Sequence, residues 1–297
     1  MDNICTICPR RCNIDRSRTR GYCGVGVNPV VAKAFLHMWE EPCISGTKGS
    51  GTVFFSGCSL KCVFCQNFKI SQEHFGKEVT IERLGEIFIK LQDMGAHNIN
   101  LVNPSHYVPQ IKEAVAAAKG LKIPIVYNTS GYENTEQLKE LEEWVDVWLP
   151  DFKYADRSLA RRLSMASNYP EVALKAIREM FRQKGSNVIV NKEGQAESGL
   201  IIRHLVLPGY IENSIKVLET IADEISTNVY ISLMSQYNPQ FYQKMDVALQ
   251  RPIDLQEYEM VVQRFYELGF HNGWIQELES HKTYNPDFEQ EHPFEMS

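Results

Sequence analysis

The chain has 297 residues, of which 43% are hydrophobic and 23% are charged, and its formal net charge at pH 7 is −6. This composition is that of an ordinary globular protein, and the excess of acidic residues gives no electrostatic footprint for nucleic acid. No stretch approaches the ~18 uninterrupted apolar residues that a membrane helix needs, and MDNICTICPR lacks the apolar core of a secretory signal. We therefore expect a cytoplasmic protein with neither a membrane nor nucleic acid as its partner.

The first cysteine group lies near the N-terminus and consists of Cys5, Cys8, Cys12 and Cys23. In a chain without an export signal, clustered cysteines are metal ligands more often than disulfide partners. Zinc and an auxiliary iron-sulfur cluster both fit, because C-x2-C pairs recur in zinc sites and C-x2-C-x3-C resembles ferredoxin-like runs. The alternative is a flexible arm with unligated thiols. Cys43 stands alone and is interpreted as a small buried residue.

The second cysteine group follows a glycine-rich approach at 45–51 and a short predicted strand. It consists of Cys58, Cys62 and Cys65, with the spacing C-x3-C-x2-C and an aromatic residue before the last cysteine. A structural zinc ion and a closed iron-sulfur cube each take four protein ligands, so three cysteines leave one iron open to bind a substrate. The alternatives are a zinc knuckle with a borrowed fourth ligand and three buried thiols.

From residue 80 onward, segments with helical spacing alternate with short apolar runs, which predicts repeated β-α units and a parallel sheet. Strands are predicted at 52–56, 98–102, 123–127, 145–149, 200–207 and 229–233, with a seventh candidate at 274–278. Helices are predicted at 80–94, 107–119, 135–144, 169–183, 212–225 and 255–268, with Thr80 as an N-cap and 185–199 as a loop.

These units predict an α/β protein with a partial (β/α)6 TIM-like barrel. The predicted organisation is a cysteine-rich metal-binding segment at 1–44, a barrel core at 45–240 and a C-terminal helix with a closing strand at 241–297. Active sites of β/α barrels lie at the carboxyl ends of the strands, so polar residues there are candidate ligands.

The candidates at the strand ends are Asn103, Ser105, Asn128, Ser130, Asp151, Lys153 and His204. An Asp and a Lys at alternating positions project on one side of an extended chain, where both can meet one ligand. The alternative for this pair is a solvent-facing ion pair worth at most about 1 kcal/mol. A lone histidine in a core is usually a structural residue, so for His204 the alternatives are a structural core residue and a cofactor contact.

The cysteine loop, with Phe64 before the last cysteine, resembles the signature of the radical S-adenosylmethionine (SAM) superfamily. The segments Phe54–Cys58, Phe64–Asn67 and Leu149–Lys153 are similar to the branch of that superfamily around pyruvate formate-lyase activating enzyme. The resemblance implies that the three cysteines hold a [4Fe-4S] cluster whose fourth iron chelates SAM. It also implies an oxidoreductase that cleaves SAM reductively to a 5′-deoxyadenosyl radical, which abstracts hydrogen from a substrate.

The same resemblance implies roles for the other candidates. Phe64 would pack beside the cofactor, and the segments at 128–131 and 151–153 would line the SAM pocket, with Asp151 and Lys153 at its ribose and carboxylate. Asn103 and Ser105 stand where many relatives have a Gly-Gly-Glu-like segment that receives the amino group of SAM. The strand that carries His204 resembles the Arg-Tyr/His-Val-Val-Val-Pro-Gly strand of the activases.

The implied partners are an electron donor, flavodoxin or ferredoxin, and a glycyl-radical enzyme whose glycine loses a hydrogen. The reaction would have to proceed without oxygen, because an open cluster is readily oxidised. Two alternatives remain for the function. One is radical chemistry on a small molecule or another macromolecule, and the other is a noncatalytic iron-sulfur electron carrier.

Overall fold

The computed structural model describes residues 4–241, 246–282, 286–290 and 293–294. Within these ranges the strands are β1 Val30–His37, β2 Ser50–Phe55, β3 Lys77–Glu78, β4 Ile99–Val102, β5 Ile125–Thr129, β6 Val147–Pro150, β7 Ile189–Val190, β8 Ala196–Leu205, β9 Tyr230–Met234 and β10 Gly273–Ile275. The α-helices are α1 Pro42–Ser45, α2 Phe68–Ser71, α3 Ile81–Asp93, α4 Val108–Ala117, α5 Thr135–Glu140, α6 Arg157–Ser164, α7 Tyr169–Lys184, α8 Ile211–Glu224 and α9 Leu255–Glu267.

The strands form one sheet in the order β10-β9-β8-β6-β5-β4-β2-β1-β3. All neighbours from β2 to β10 in this order run parallel, while β1 is antiparallel to both β2 and β3. Helices connect the parallel strands, as β-α units require. The predicted α/β class with a parallel barrel-like sheet is confirmed, and the seventh candidate strand is present as β10.

The residues of these elements explain why they form. Strands β4, with the sequence INLV, and β6, with VWLP, are buried along their whole length, as strands of a sheet covered on both faces are. Helix α3 begins after Thr80, whose side chain accepts a hydrogen bond from Arg83 N–H, as predicted. Its buried residues, Leu84, Phe88 and Leu91, recur at helical spacing and face the core.

Several local features differ from the prediction, and the short elements α1, α2 and β3 are among those that were not predicted. Strand β1 and helix α6 were not predicted, and the segment expected to be a loop at 185–199 contains β7 and the first residues of β8. Strand β7 pairs with β8 as an antiparallel extension, and its residues Ile189 and Val190 are exposed. It therefore lacks the alternation of buried and exposed residues by which a strand is recognised.

The register of the sheet brings particular residues into line. Phe54 lies beside Val102, and Val102 lies beside Asn128, while Arg203 lies beside Ser232 and Ser232 beside Trp274. All six residues line one cavity, so the sheet is concave around it. No helix in the described part of the chain is both long and apolar enough to cross a membrane.

Candidate active site

The cysteine loop lies directly after β2, at the carboxyl end of the sheet. Its three sulfur atoms are held by different elements: Ser164 Oγ donates to Cys62 Sγ at 2.9 Å, and Ser71 Oγ lies 3.3 Å from Cys65 Sγ. Cys58 Sγ lies 3.6 Å from Asn103 Oδ1. Helices α6 and α2 and the end of β4 therefore fix the positions of the thiols before any ligand binds.

The chemistry of the three thiols fits a metal cluster. Burial raises the pKa of Cys58 and Cys62 and raises that of Cys65 to about 11, and repulsion from neighbouring thiols adds to the rise for Cys58 and Cys65. Three thiolates can coexist here only on a cationic centre, since metal ligation requires the deprotonated form. The donor set therefore fits a [4Fe-4S] cluster, which supplies single electrons when it is bound.

A cavity of about 490 Å³ opens beside the loop at the carboxyl ends of the parallel strands. Cys62, Phe64 and Cys65 form one wall, and Asn128, Asp151 and Lys153 contribute to another. The Phe64 ring packs edge-on against the Tyr237 ring, with 6.1 Å between their centroids. The structure thus brings four of the candidate cofactor residues from the sequence (Phe64, Asn128, Asp151 and Lys153) around one space.

A buried network of charges forms the floor of this cavity. Asp151 Oδ2 accepts from Lys153 Nζ at 2.5 Å, and Asp151 Oδ1 accepts from Arg203 Nε at 2.9 Å. Arg203 also donates to Asn128 Oδ1 at 2.6 Å and to Glu40 Oε2 at 3.3 Å. Although burial opposes its ionisation, the cations Arg203 and Lys153 hold the pKa of Asp151 below its usual range. Asp151 and Lys153 therefore form a buried charge pair and not a solvent-facing one.

Two further carboxyl groups line the cavity. Burial raises the pKa of Glu40 and Glu41, against the attraction of Arg203. Glu40 Oε1 also accepts from Asn100 Nδ2 at 3.0 Å. Glu41 Oε2 is buried without a hydrogen-bond partner among the described residues, so it can accept a hydrogen bond from a bound molecule.

The residues that follow β4 have different surroundings. Asn103 adopts a φ of 59° and donates through Nδ2 to Gly57 O, which places its amide beside Cys58. Ser105 is fully buried, and its Oγ donates to Glu133 Oε1. Neither Ser105 nor Asn103 is among the residues that line the cavity, although Asn103 contacts the cysteine loop.

His204 and Ser130 also lie outside the lining of the cavity. His204 is fully buried and its Nδ1–H donates to Phe152 O at 2.7 Å, while burial lowers its pKa to about 4. Its neighbour Arg203 lines the cavity instead, because successive side chains of a strand point to opposite faces. Ser130 O accepts from Tyr169 at 2.7 Å, and Ser130 Oγ is buried without a hydrogen-bond partner among the described residues.

Glu133 forms a second buried carboxyl site behind β5. Its Oε1 accepts from Ser105 and from Thr129 Oγ1, and its side chain is 3% exposed. Burial raises its pKa to about 7, although the hydrogen bonds from Ser105 and Thr129 act in the opposite direction. The carboxyl group therefore changes charge close to neutral pH.

The N-terminal cysteine segment packs on the cysteine loop. Arg10 donates from Nε to Ser59 O and from Nη1 to Met165 O, both at 2.8 Å, and the Arg10 guanidinium lies 4.0 Å from the centre of the Tyr22 ring. Burial raises the pKa of Cys8 to about 12 and also raises that of Cys23, and neighbouring thiols of the group add to both shifts. In the described residues no three His, Cys, Asp or Glu side chains form a group that could hold a single metal ion.

Comparisons with known proteins agree with this architecture. The uncharacterized protein MJ0674 of Methanocaldococcus jannaschii is 28% identical over 268 residues, which cover 87% of this chain and 73% of that protein. The fold is similar to that of Streptococcus suis SuiB bound to S-adenosylmethionine, with a TM-score of 0.51 at 12% identity, covering 76% of this chain and 50% of SuiB. SuiB bound to its precursor peptide SuiA gives a TM-score of 0.53 at 13% identity over 74% of this chain. The chain thus spans about half the length of the SuiB chain.

The fold is a partial α/β barrel whose first parallel strand leads into a loop of three cysteines. The sequence model of the Radical SAM superfamily matches residues 52–216, which is more than half of the chain and includes this loop. The chain belongs to the radical SAM superfamily and is an enzyme of radical chemistry. Membership implies a [4Fe-4S] cluster and SAM as cofactors.

The sequence interpretation did not assign a role to Arg203, Glu40 or Glu41. A signal for Arg203 was present, because a charged residue inside the apolar run from Ile201 to Leu207 requires a buried partner. No comparable signal identified Glu40, whose contact with Arg203 joins residues 163 positions apart.

Proposed function

We propose that this protein uses a [4Fe-4S] cluster at Cys58, Cys62 and Cys65 and SAM to abstract hydrogen from a glycine of a partner glycyl-radical enzyme. Abstraction is by the 5′-deoxyadenosyl radical that reductive cleavage of SAM releases, with an electron from flavodoxin or ferredoxin. The strand ends that resemble those of the activases support this function, and so does the size of the cavity.

The observation that carries the proposal is the volume of the cavity, about 490 Å³. Pockets that bind one drug-sized ligand span ~300–1,000 Å³, so the size of this cavity suits one molecule such as SAM. Little room is left for the body of a second ligand. A glycine, which has no side chain, can enter as part of a backbone loop while the rest of its protein stays outside.

The charge network suits SAM, which carries a carboxylate, an ammonium group and ribose hydroxyls. Lys153 supplies a cation for the carboxylate, and Asp151 supplies acceptors for hydroxyl groups. Arg203 and Lys153 fix the Asp151 carboxylate by two hydrogen bonds, so it needs little reorganisation when the ligand arrives. Phe64 offers an apolar face beside the cysteine loop.

The decisive test is transfer of label. Anaerobically reconstituted protein would be incubated with SAM, reduced flavodoxin and a glycyl-radical enzyme whose glycines carry deuterium at Cα, and 5′-deoxyadenosine would be analysed by mass spectrometry. We expect deuterium in 5′-deoxyadenosine and an electron paramagnetic resonance (EPR) signal of a glycyl radical. The Cys58→Ala variant should give neither. The Cys43→Ala variant, which alters a buried cysteine outside the cavity, is the matched control.

Two other results would change the proposed function. Label arriving from a deuterated metabolite, and never from the protein, would favour a small-molecule substrate. Absence of any 5′-deoxyadenosine from the intact, cluster-loaded protein would reject the radical reaction and leave the electron-carrier alternative.

A further inference from the structure

We propose that Cys5, Cys8, Cys12 and Cys23 bind a second iron-sulfur cluster. Through this cluster an external one-electron donor protein supplies electrons to the cysteine loop at Cys58–Cys65. The metal site itself is independent of the proposed function. Only the destination of the electron rests on it.

The backbone brings the first three cysteines together. Cys5 N–H donates to Ile14 O at 2.8 Å, and Asn13 N–H donates to Cys5 O at 3.1 Å, so the chain folds back on itself within ten residues. Arg11 N–H donates to Cys8 O at 3.0 Å and closes a turn inside this fold. Cys12 therefore returns to the side of the segment where Cys5 and Cys8 lie.

The fourth cysteine, Cys23, lies close to Cys12 beside Gly21. Cys12 Sγ and Cys23 Sγ lie 3.4 and 3.7 Å from the point where a Cβ on Gly21 would be. The absence of a side chain at this position leaves room between the two sulfurs. Tyr22 N–H donates to Cys12 Sγ at 3.3 Å. Backbone N–H groups that donate to ligand sulfurs are a recurrent means of stabilising cluster-bound thiolates.

The order of the cysteines favours a cluster over zinc. Three of them fall within eight residues as C-x2-C-x3-C, and the fourth stands alone 11 residues later. Structural zinc sites built on cysteine are typically made from two close pairs, each with a spacing of about two to four residues. Three close cysteines with one remote cysteine is the arrangement found in ferredoxin-like clusters.

The location of the group favours a redox role. Cys58 N–H donates to Cys23 O at 3.4 Å, so the backbones of the two cysteine groups are in direct contact. Gly57, at a φ of +83°, permits this approach, because a Cβ there would lie 2.7 Å from Cys23 O. Arg10 adds a second tie through Ser59 O. A cluster held by this group would lie next to the group that it reduces.

The outer side of the segment is suited to a donor protein. Cys8 and Cys23 are buried, while Cys5 and Cys12 are partly exposed. Exposed cationic side chains occur in the same segment and in the cysteine loop, namely Arg11, Arg18, Arg20 and Lys61, of which Arg18 pairs with Asp15. A basic surface attracts an acidic carrier protein and accelerates its encounter. One electron enters from this carrier, which is oxidised, and one electron leaves to the loop at Cys58–Cys65, without any covalent bond changing.

The metal site can be tested by composition and spectroscopy. A triple variant, Cys58→Ala with Cys62→Ala and Cys65→Ala, would be purified anaerobically and analysed for iron, sulfide and zinc, with EPR and Mössbauer spectra. We expect it to retain roughly four irons per chain, half the wild-type content, with a signal that SAM does not alter. Cys8→Ala with Cys23→Ala should lose the complementary half. The Cys43→Ala variant should keep the wild-type content.

The opposite results are equally clear. Zinc in the triple variant, or a triple variant without metal whose circular dichroism matches that of the wild type, would overturn the second cluster. Because iron content does not depend on turnover, this result stands even if the protein fails to cleave SAM.

The path of the electron is tested by a separate measurement of rates. The rate of 5′-deoxyadenosine formation would be compared with dithionite, a small reductant, and with reduced flavodoxin. In the Cys12→Ala variant we expect the ratio of the flavodoxin-supported rate to the dithionite-supported rate to fall at least tenfold. An unchanged ratio in a variant shown by its iron content to lack the second cluster would overturn the route.

Discussion

Arg203 is the residue on which the charges of the cavity depend. It is the common partner of Asp151, Asn128 and Glu40, and its side chain is 15% exposed. Two carboxyl groups, of Glu40 and Asp151, and two cations, Arg203 and Lys153, contact one another there with most of their side-chain surface buried. Removing one member of such a network leaves a buried charge without a partner.

We expect Arg203→Met to lower the free energy of unfolding by about 3–5 kcal/mol, because Glu40 loses its cationic partner and Asp151 keeps only Lys153. Urea unfolding at pH 7 measures this loss. The matched control is Arg83→Met, which breaks a pair whose side chains are 59% and 63% exposed and should cost less than about 1 kcal/mol. Equal losses in the free energy of unfolding in the two variants would show that the Arg203 network stabilises the fold no more than an exposed ion pair does.

Glu133 predicts a dependence of stability on pH. Its pKa rises from 4.5 in the unfolded chain to about 7 in the folded protein, so between these values the folded state holds a proton that the unfolded state has lost. Stability from this group is therefore complete below pH 4.5, falls as the pH rises to about 7, and is constant above that. The total loss is about 3 kcal/mol.

The Glu133→Gln variant should lack this loss, so its stability relative to wild type should increase between pH 5 and pH 8 in chemical denaturation. Glu143→Gln changes an exposed carboxylate nearby in the sequence and should follow the wild-type curve. Parallel curves for Glu133→Gln and wild type would contradict the buried, protonated carboxyl group.

At the level of single residues, the sequence predicted part of the site. Asp151, Lys153 and Asn128 could be found because polar residues at the ends of buried strands have few other roles. Ser105 meets that criterion equally well, but its hydroxyl is bound to Glu133, a residue 28 positions away whose approach depends on packing. His204 and Arg203 are neighbours, and only the register of β8 decides which of them faces the cavity.

Among the elements, the junction between the ends of β5 and β6 positions the charge network. Gly131 follows β5 with a φ of +75°, and a Cβ at this position would lie 2.2 Å from Asp151 O. The close approach of the two strand ends therefore requires glycine on conformational and on steric grounds.

We expect Gly131→Ala to lower the free energy of unfolding by about 2–5 kcal/mol, the sum of the left-handed backbone strain and the overlap with Asp151. Gly120→Ala is the matched control, because Gly120 has a φ of +94° with nothing within 4 Å of its Cβ position. It should lose only the ~1–2 kcal/mol of backbone strain. Denaturant titrations of both variants measure the difference, and indistinguishable losses would mean that the strand ends separate freely.

The elements also show where prediction from sequence stops. The parallel strands were found because each is a short apolar run between helical segments. Helix α6 has eight residues, with Asp156 as its N-cap and buried Leu159, Ala160 and Leu163. It is too short for its periodicity to stand out, although it carries Ser164, which contacts Cys62. Strand β1 shows an irregular burial pattern, and its register with β2 shifts between Val31 and Lys33.

For the molecule as a whole, the cavity lies among several strands and the cysteine loop, so a ligand bound there should stabilise the complete fold. With SAM at 100 times its Kd, the free energy of unfolding of the cluster-loaded protein should rise by about 2.7 kcal/mol. Anaerobic thermal unfolding with and without SAM measures this rise. The Cys58→Ala variant should respond much less, since its cluster site is incomplete. An equal response in both proteins would place the binding of SAM elsewhere.

The contact between Glu40 and Arg203 has a consequence for biosynthesis. The two residues are 163 positions apart, and their contact can form only when the sheet between them has assembled. During translation the cysteine loop leaves the ribosome long before β8 does. The thiols are therefore made well before the floor of the cavity can form beneath them. Iron that arrives after release of the chain would find the cavity already folded around the three thiols. Iron that arrives earlier would find the thiols in a segment that has not yet folded.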